Sequence, residues 1–158
     1  MSSNTTIIEA PPEAVWDALS DGWSYPLWVV GATRMRAVDD GWPRTGTQIH
    51  HSVGVWPMVI DDRTEVIEAH PAEMLRLTAH AWPGGAARVE LDLEDLGGRT
   101  RVTIREDIES GPSKLVPPPL RHAMLHWRNV ESLRRLRFIV EGRYHQDRSG
   151  TLSGQAQP

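Results

Sequence analysis

The residues that could do chemistry include two adjacent histidines in the segment IHHSVGV, residues 49–55. An imidazole can act as a general base or bind a metal ion near neutral pH. Apolar residues at alternate positions of this segment predict a strand. Successive side chains of a strand point to opposite faces, so Ile49, His51 and Val53 share one face and His50 lies on the other. We therefore expect His51 to face the interior and His50 to face outward, so that the two rings cannot act on one ligand.

His122 and His126 lie four residues apart in a predicted helix, a spacing at which two imidazoles can bind one metal ion. The residues between them lack the glutamate of a zinc-protease motif, and the sequence offers no evident third ligand. A polar roof over a binding site, or plain surface positions, fits these histidines better. We predict no metal and no cofactor. A nucleophilic triad is also not indicated, because the sequence contains no GxSxG segment.

The composition of the chain predicts one soluble globular domain. It has 158 residues, of which 39% are hydrophobic and 24% are charged. The net charge of −4 argues against a nucleic-acid surface or an anionic-membrane surface. The absence of cysteine excludes disulfides, thiolate metal sites and cysteine nucleophiles. We find no signal segment and no apolar run of membrane-spanning length, so we expect a cytoplasmic protein without membrane insertion.

The elements that must position these residues follow from periodicity and turn signals. Residues 5–10 predict a strand that ends at Pro11-Pro12. Two adjacent glycines, Gly97 and Gly98, predict a hairpin between the last two strands. We expect one domain, residues 1–143, followed by a polar disordered tail, residues 144–158. The other predicted elements are two short helices at 13–19 and 23–30, strands at 33–39, 46–55, 58–69, 73–82, 87–96 and 99–109, and a long helix at 120–142.

Five segments carry a resemblance to a known superfamily. They are IEAPPEAVWDALSD (8–21), WSYPLWVVGA (23–32), DRTEVIEAHPAEMLRL (62–77), LGGRTRVTIRED (96–107) and RNVESLRRL (128–136). The chain resembles the helix-grip superfamily of START-like and birch-pollen-allergen-like proteins, and within it the polyketide cyclase/dehydrase (SRPBCC) branch. The resemblance implies an α+β helix-grip fold. In that fold a curved antiparallel sheet of about six to seven strands wraps around a long C-terminal helix, with two short helices between strands 1 and 2, and encloses a hydrophobic cavity.

The more apolar alternation frame of each strand is expected to face this cavity. In the predicted strand 99–109 that frame contains Val102, Ile104 and Glu106. Glu106 is therefore a carboxylate expected inside the cavity.

The strand predicted at 58–69 has two mixed frames, and one bulge would exchange them. The resemblance matches Ile67 and Ala69 to positions that face the long helix. We therefore expect their frame to face inward, which turns three charged side chains toward the cavity: Asp61, Arg63 and Glu65.

The long helix has two apolar faces. The face of Leu133, Leu136 and Val140 suits the core, and toward the helix start it collects three polar residues that we expect to roof the cavity: His122, His126 and Asn129. The other face packs on loops or on a second subunit, which would make the protein a homodimer. It holds Leu120, Ala123, Met124, Trp127 and Val130.

These expectations lead to a binding protein for a small hydrophobic molecule, such as a polyketide, an aromatic metabolite or a lipid. The expected ligand-binding residues are Trp23, Trp28, His51, Arg63, Glu65, Glu106, His122, His126 and Asn129, with Tyr25 beside the tryptophans at the cavity mouth. The alternative is an enzyme of the polyketide cyclase/dehydratase type. In that alternative His51 acts as acid/base with a carboxylate, Glu65 or Glu106, and Arg63 stabilises an enolate.

Overall fold

Seven strands of the computed structural model form one antiparallel sheet in the order β1-β7-β6-β5-β4-β3-β2. The structure describes residues 2–55, 57–81, 85–111, 115 and 117–154. The strands are β1 (Ser2–Ile8), β2 (Ala32–Val38), β3 (Gln48–Val55), β4 (Met58–His70), β5 (Met74–Ala81), β6 (Gly85–Asp95) and β7 (Thr100–Ile108). The helices are α1 (Pro12–Ser20), α2 (Tyr25–Trp28) and α3 (Pro118–Gly154), with a short 3₁₀ turn at Gly22–Ser24. The predicted α+β helix-grip fold is confirmed.

The first helix begins where the sequence predicts, because Pro12 occupies its first turn and has no N–H to leave unpaired. Val15, Ala18 and Leu19 then turn one face of α1 into the core. The hairpin between β6 and β7 turns at Gly97 and Gly98, whose φ angles of 79° and 86° suit glycine. Local sequence and tertiary packing therefore agree in these elements.

The core lies between the inner face of the sheet and α3. Leu133, Leu136 and Val140 of α3 are buried there, as the predicted helix face requires. The sheet contributes alternate residues of its strands to the same core: Ile8, Ile49, Val66, Leu75, Leu77, Leu91, Leu93, Val102 and Ile104. The segment after α2 is fastened to α3, because the Val30 backbone N–H donates to Ser132 Oγ over 3.1 Å. Sheet, α2 and α3 thus surround one space.

The long helix continues to Gly154 and does not end near residue 142, where we expected it to stop. Arg143 forms an ion pair with Asp21 over 3.0 Å, and Tyr144 packs against the core. The guanidinium of Arg148 lies over the Tyr144 ring at 5.6 Å from its centroid. These contacts favour helix over the disordered tail that polar composition predicts, at least to Gly154, and residues 155–158 lie outside the described part. Within that part, no helix is long and apolar enough to cross a membrane.

Candidate ligand-binding cavity

The space between the sheet and α3 contains a cavity of about 170 Å³. Its walls are mainly apolar and include Trp28, Leu77, Val89 and Ile104. Of the residues that we predicted to bind a ligand, four line it: Trp28, His51, Glu106 and Asn129. Tyr25 lines it as well. Polar side chains thus enter an otherwise apolar space at a few points, which is the usual make-up of a small-molecule site.

His51 lies inside the protein, 2% exposed, as strand alternation predicts. Its Nε2 lies 2.9 Å from Thr64 Oγ1, and the Tyr25 hydroxyl lies 3.4 Å from the same oxygen. Burial, together with the nearby positive charge of Arg36, lowers the pKa of His51 to about 4. Burial also raises the pKa of Tyr25 to about 12. At neutral pH both rings are therefore uncharged.

The carboxylate of Glu106 is 2% exposed, and its Oε1 forms an ion pair with the guanidinium of Arg128 from α3. The pair joins β7 to the helix across the cavity wall. Its other carboxylate oxygen, Oε2, is buried without a hydrogen-bond partner. Two further lining residues have a buried polar atom in the same condition, Nδ1 of His51 and Nδ2 of Asn129. Buried polar atoms are normally hydrogen-bonded, so three unpaired atoms around one cavity need an explanation.

Asp62 lines the cavity as well, although it alternates with Asp61 and Arg63, which were expected to face inward. It pairs with His51 across β3 and β4 and is 7% exposed. Burial raises the pKa of Asp62 to about 6, although the Arg63 backbone N–H donates to its Oδ1 over 2.6 Å and opposes that rise. A carboxyl group that titrates near neutral pH in a cavity is a candidate acid or base.

The predicted inward frame of the fourth strand is wrong. Asp61, Arg63 and Ile67 are exposed, and Glu65 accepts a hydrogen bond from the Gln48 side chain on the same outer face. The frame that faces inward is instead Asp62, Thr64 and Val66. The cause is an irregularity in the pairing of β4 with β5 between Val66 and Glu68. Ala69 still packs on the core, but the bulge reverses the alternation before it.

The two helix histidines lie outside the cavity lining. His126 lies about 60° around the helix from Asn129, and its Nδ1 accepts a hydrogen bond of 2.7 Å from the Asn4 side chain of β1. Leu125 is the first residue of α3 in the lining, and His122 is exposed one turn nearer the helix start. Trp23 is 61% exposed and is also absent from the lining. Among the described residues, no three His, Asp or Glu side chains are placed to share a metal ion.

Sequence reasoning missed Arg128, Thr64 and Ser132, which lie beside the predicted residues. Arg128 is 39% exposed and lies on the flank of α3, so its long side chain reaches Glu106 from a position that helical periodicity assigns to the surface. Ser132 shares the helix face of Asn129 and Leu136 at helical spacing, and that spacing could have identified it.

The sheet, the long helix and the cavity between them define a helix-grip protein. A family model described as "Polyketide cyclase / dehydrase and lipid transport" matches residues 2–141. The chain belongs to this family. No curated protein matches it by sequence.

Similar solved structures share the fold at low sequence identity. The ZhuI aromatase/cyclase from Streptomyces sp. R1128 is 17% identical with a TM-score of 0.67, over 90% of this chain and 93% of that one. A START superfamily protein from Mycobacterium smegmatis is 21% identical with a TM-score of 0.64, over 91% and 96%. Protein CV1439 from Chromobacterium violaceum is 20% identical with a TM-score of 0.65, over 88% and 96%. At these identities the likeness supports the fold alone.

Proposed function

We propose that this protein binds a small, mainly apolar molecule with polar groups in the cavity between the sheet and α3. The observation that carries the proposal is the set of three buried, unpaired polar atoms in the lining, on His51, Glu106 and Asn129. A buried polar atom without a partner destabilises the folded state by about 1–3 kcal/mol. A bound molecule with matching polar groups would form hydrogen bonds to these atoms and remove that cost. A cavity that served only as apolar space would have no use for three polar atoms in its lining.

Native mass spectrometry on protein purified from its own host tests this proposal. We expect the folded protein to retain an organic molecule, and a thermal-shift screen of aromatic compounds and lipids to raise the melting temperature. Ala79 lines the cavity and Ala37 is exposed on β2, so they form a matched pair for the control. Retention should be lost in Ala79→Leu and kept in Ala37→Leu. An absence of both a retained mass and any thermal shift would contradict the proposal.

An acid–base enzyme of the cyclase/dehydratase type is the second candidate function, and the state of Asp62 favours it. A general base works best with a pKa near the working pH. The pKa of Asp62, about 6, meets this condition better than that of His51, about 4. Asp62 therefore replaces His51 as our candidate acid or base, and neither Arg63 nor Glu65 lies in the lining to assist it.

Exchange of the acidic C–H hydrogens of benzoylacetone for deuterium, followed by NMR, tests this second candidate. Removal of such a hydrogen is the first step of an aldol cyclisation. The wild-type protein should accelerate exchange over buffer, Asp62→Asn should lose the acceleration, and Asp61→Asn on the outer face should keep it. Equal rates in buffer and with protein would remove the enzyme candidate and leave the binding proposal in place.

A second copy of this chain is the partner that we propose for the exposed face of α3. Leu120, Met124, Trp127 and Phe138 are all more than half exposed, and their spacing of three and four residues puts them on one stripe. The stripe also holds Glu131 and Arg134. In an antiparallel two-fold pair that sets Trp127 against Phe138 of the other copy, Glu131 faces Arg134 of that copy. This self-complementary charge supports a homodimer. A cytoplasmic location of the protein remains a prediction from the sequence.

A further inference from the structure

The size of the cavity limits the size of the ligand that it can enclose. Its volume is about 170 Å³. A cavity on the order of 150 Å³ holds one benzene ring, whereas drug-sized ligands occupy pockets of about 300–1,000 Å³. Trp28, Leu77 and Ile104 provide apolar walls around this space. A ligand that lies wholly within this volume therefore has about one ring, and a three-ring or four-ring skeleton would extend beyond it.

The charges that line the cavity disfavour an anionic ligand. The positive charge of Arg128 is already paired with Glu106. His51 has a pKa of about 4 and is neutral at pH 7, while Asp62 has a pKa of about 6 and is mostly ionised there. No uncompensated positive charge is then available among these lining groups to receive a carboxylate or a phosphate. A neutral ligand avoids the cost of a second unpaired anion in a buried space.

The three unpaired atoms determine which polar groups a neutral ligand needs. Oε2 of Glu106 can only accept, and Nδ2 of Asn129 can only donate. If the Tyr25 hydroxyl donates to Thr64 Oγ1, the Thr64 hydroxyl donates to His51 Nε2. The proton of the neutral His51 ring is then on Nδ1, which also donates. A ligand that pairs with these atoms therefore has one hydrogen-bond donor, for Glu106, and one or two acceptors, for Asn129 and His51.

We propose that the ligand is a neutral single-ring compound with a hydroxyl group and a carbonyl group. The hydroxyl donates to Oε2 of Glu106, and the carbonyl oxygen accepts from Asn129 or His51. This proposal rests on the proposed binding function and adds the size, the charge and the polar groups of the ligand. The proposed ligand is shorter than a lipid and has fewer rings than a multi-ring polyketide.

Isothermal titration calorimetry with four probes tests the ligand class. The probes are 4-hydroxyacetophenone, acetophenone, 4-hydroxybenzoate and 1,8-dihydroxyanthraquinone. We expect 4-hydroxyacetophenone to bind best. Acetophenone should bind about 10- to 100-fold more weakly, because it leaves the buried Glu106 oxygen unpaired. The anionic 4-hydroxybenzoate and the three-ring anthraquinone should also bind more weakly.

Two variants test whether the affinity for 4-hydroxyacetophenone depends on the hydrogen bond from its hydroxyl to Glu106. Glu106→Gln should weaken the binding of 4-hydroxyacetophenone about tenfold or more, because a neutral amide is a weaker acceptor than a carboxylate. Acetophenone has no hydroxyl to donate to this oxygen, so it should lose less affinity than 4-hydroxyacetophenone in this variant, and far-UV circular dichroism shows whether the variant is folded. The matched control is Glu65→Gln on the outer face, which should bind both probes as the wild type does.

The outcomes separate the ligand class from the proposed function. Tighter binding of the anthraquinone than of 4-hydroxyacetophenone, lost in Ala79→Leu, would overturn the ligand class and leave cavity binding in place. Equal affinity of wild type and Glu106→Gln for 4-hydroxyacetophenone would overturn the assigned hydroxyl contact. Failure of every probe would overturn the ligand class, and the mass spectrometry experiment above would then decide separately on cavity binding.

Discussion

At the scale of single residues, burial acts in opposite directions on two groups that face each other across β3 and β4. It lowers the pKa of His51 from 6.5 to about 4 and raises the pKa of Asp62 from 3.8 to about 6. In each case the charged form loses its hydration and the neutral form is favoured. The positive charge of Arg36 lowers both pKa values. A neutral histidine and a carboxyl group near its titration point are the result.

These two shifts predict opposite pH dependences of stability. Asp62 binds its proton more tightly in the folded state, so its contribution rises as the pH falls from 6 toward 4. His51 binds its proton more weakly in the folded state, so its contribution falls as the pH drops from 6.5 toward 4. Each difference corresponds to roughly 3 kcal/mol. The pH dependences that Asp62 and His51 give to the unfolding free energy nearly cancel in the wild type. Removal of one group should leave the pH dependence of the other measurable.

Urea unfolding between pH 7 and pH 4 measures this cancellation. The unfolding free energy of Asp62→Asn should fall with decreasing pH relative to the wild type, and that of His51→Gln should rise. Asp61→Asn removes the neighbouring carboxylate, which lies on the outer face and pairs with Arg36, and its profile should stay closer to that of the wild type than the Asp62→Asn profile does. Parallel profiles for Asp62→Asn and Asp61→Asn would show that Asp62 does not titrate as a buried group.

The ion pair of Glu106 with Arg128 makes a second prediction at this scale. Arg128→Met leaves a carboxylate that is 2% exposed without its partner and should lower the unfolding free energy by about 3 kcal/mol. Glu106→Gln added to Arg128→Met should recover most of that loss, since the unpaired charge is gone. Chemical denaturation at neutral pH measures both values. Arg135→Met removes a more exposed pair with Glu131 on the same helix and should cost at most about 1 kcal/mol. Equal losses for Arg128→Met and Arg135→Met would contradict a buried pair.

At the scale of elements, alternation and periodicity predict a side chain's direction only where an element is regular. β3 and β7 contain one clearly apolar frame each, and His51 and Glu106 face inward as those frames indicate. β4 has two mixed frames, and its bulge depends on pairing with β5, which local sequence does not encode. For this reason the sequence pointed to Arg63 and Glu65, and the cavity holds Asp62.

The long helix shows the same limit. Its two apolar faces are visible in the sequence, and the face with Leu136 packs on the core. Where the cavity ends along the helix depends on the position of the sheet, which local sequence does not give. His122 and His126 therefore could not be excluded from the lining by helical spacing alone.

The exposed stripe of α3 predicts a homodimer that single substitutions disrupt. Trp127→Glu places a charge within the apolar stripe, opposite Phe138 of the other copy, and should convert the dimer to a monomer in sedimentation velocity. Trp23 is equally exposed but lies outside the stripe, so Trp23→Glu should leave the dimer intact.

Charge reversals test the orientation of the two helices. Glu131→Arg and Arg134→Glu should each weaken self-association, because like charges then meet across the two-fold axis. An equimolar mixture of these two variants should form mixed dimers, in which opposite charges meet again. Ion pairs within one helix cannot produce this recovery. A monomeric wild type, or no recovery in the mixture, would rule out the proposed pairing.

At the scale of the whole molecule, the open cavity allows ligand binding but lowers the stability of the ligand-free protein. Space that the core leaves open forgoes packing contacts, and side chains that fill such space commonly raise stability. Ala79 lies in β5 with its small side chain on the cavity wall, between Thr64 of β4 and Ala87 of β6 in the pairing register. A larger apolar residue there fills space that the proposed ligand would occupy. The folded protein should therefore gain stability from the same change that removes its ligand site.

Ala79→Leu should raise the unfolding free energy of ligand-free protein by about 1 kcal/mol, which corresponds to a rise of about 2–4 °C in melting temperature for a chain of this size. The same variant should lose at least about tenfold in affinity for 4-hydroxyacetophenone, because a loss of that size corresponds to only about 1.4 kcal/mol of contact. Ala37→Leu adds the same atoms on the exposed side of β2 and should change neither quantity. Differential scanning calorimetry and titration calorimetry on the same preparations measure both effects. A destabilised Ala79→Leu with unchanged affinity would mean that the ligand binds elsewhere and that this space is already packed as tightly as its neighbours allow.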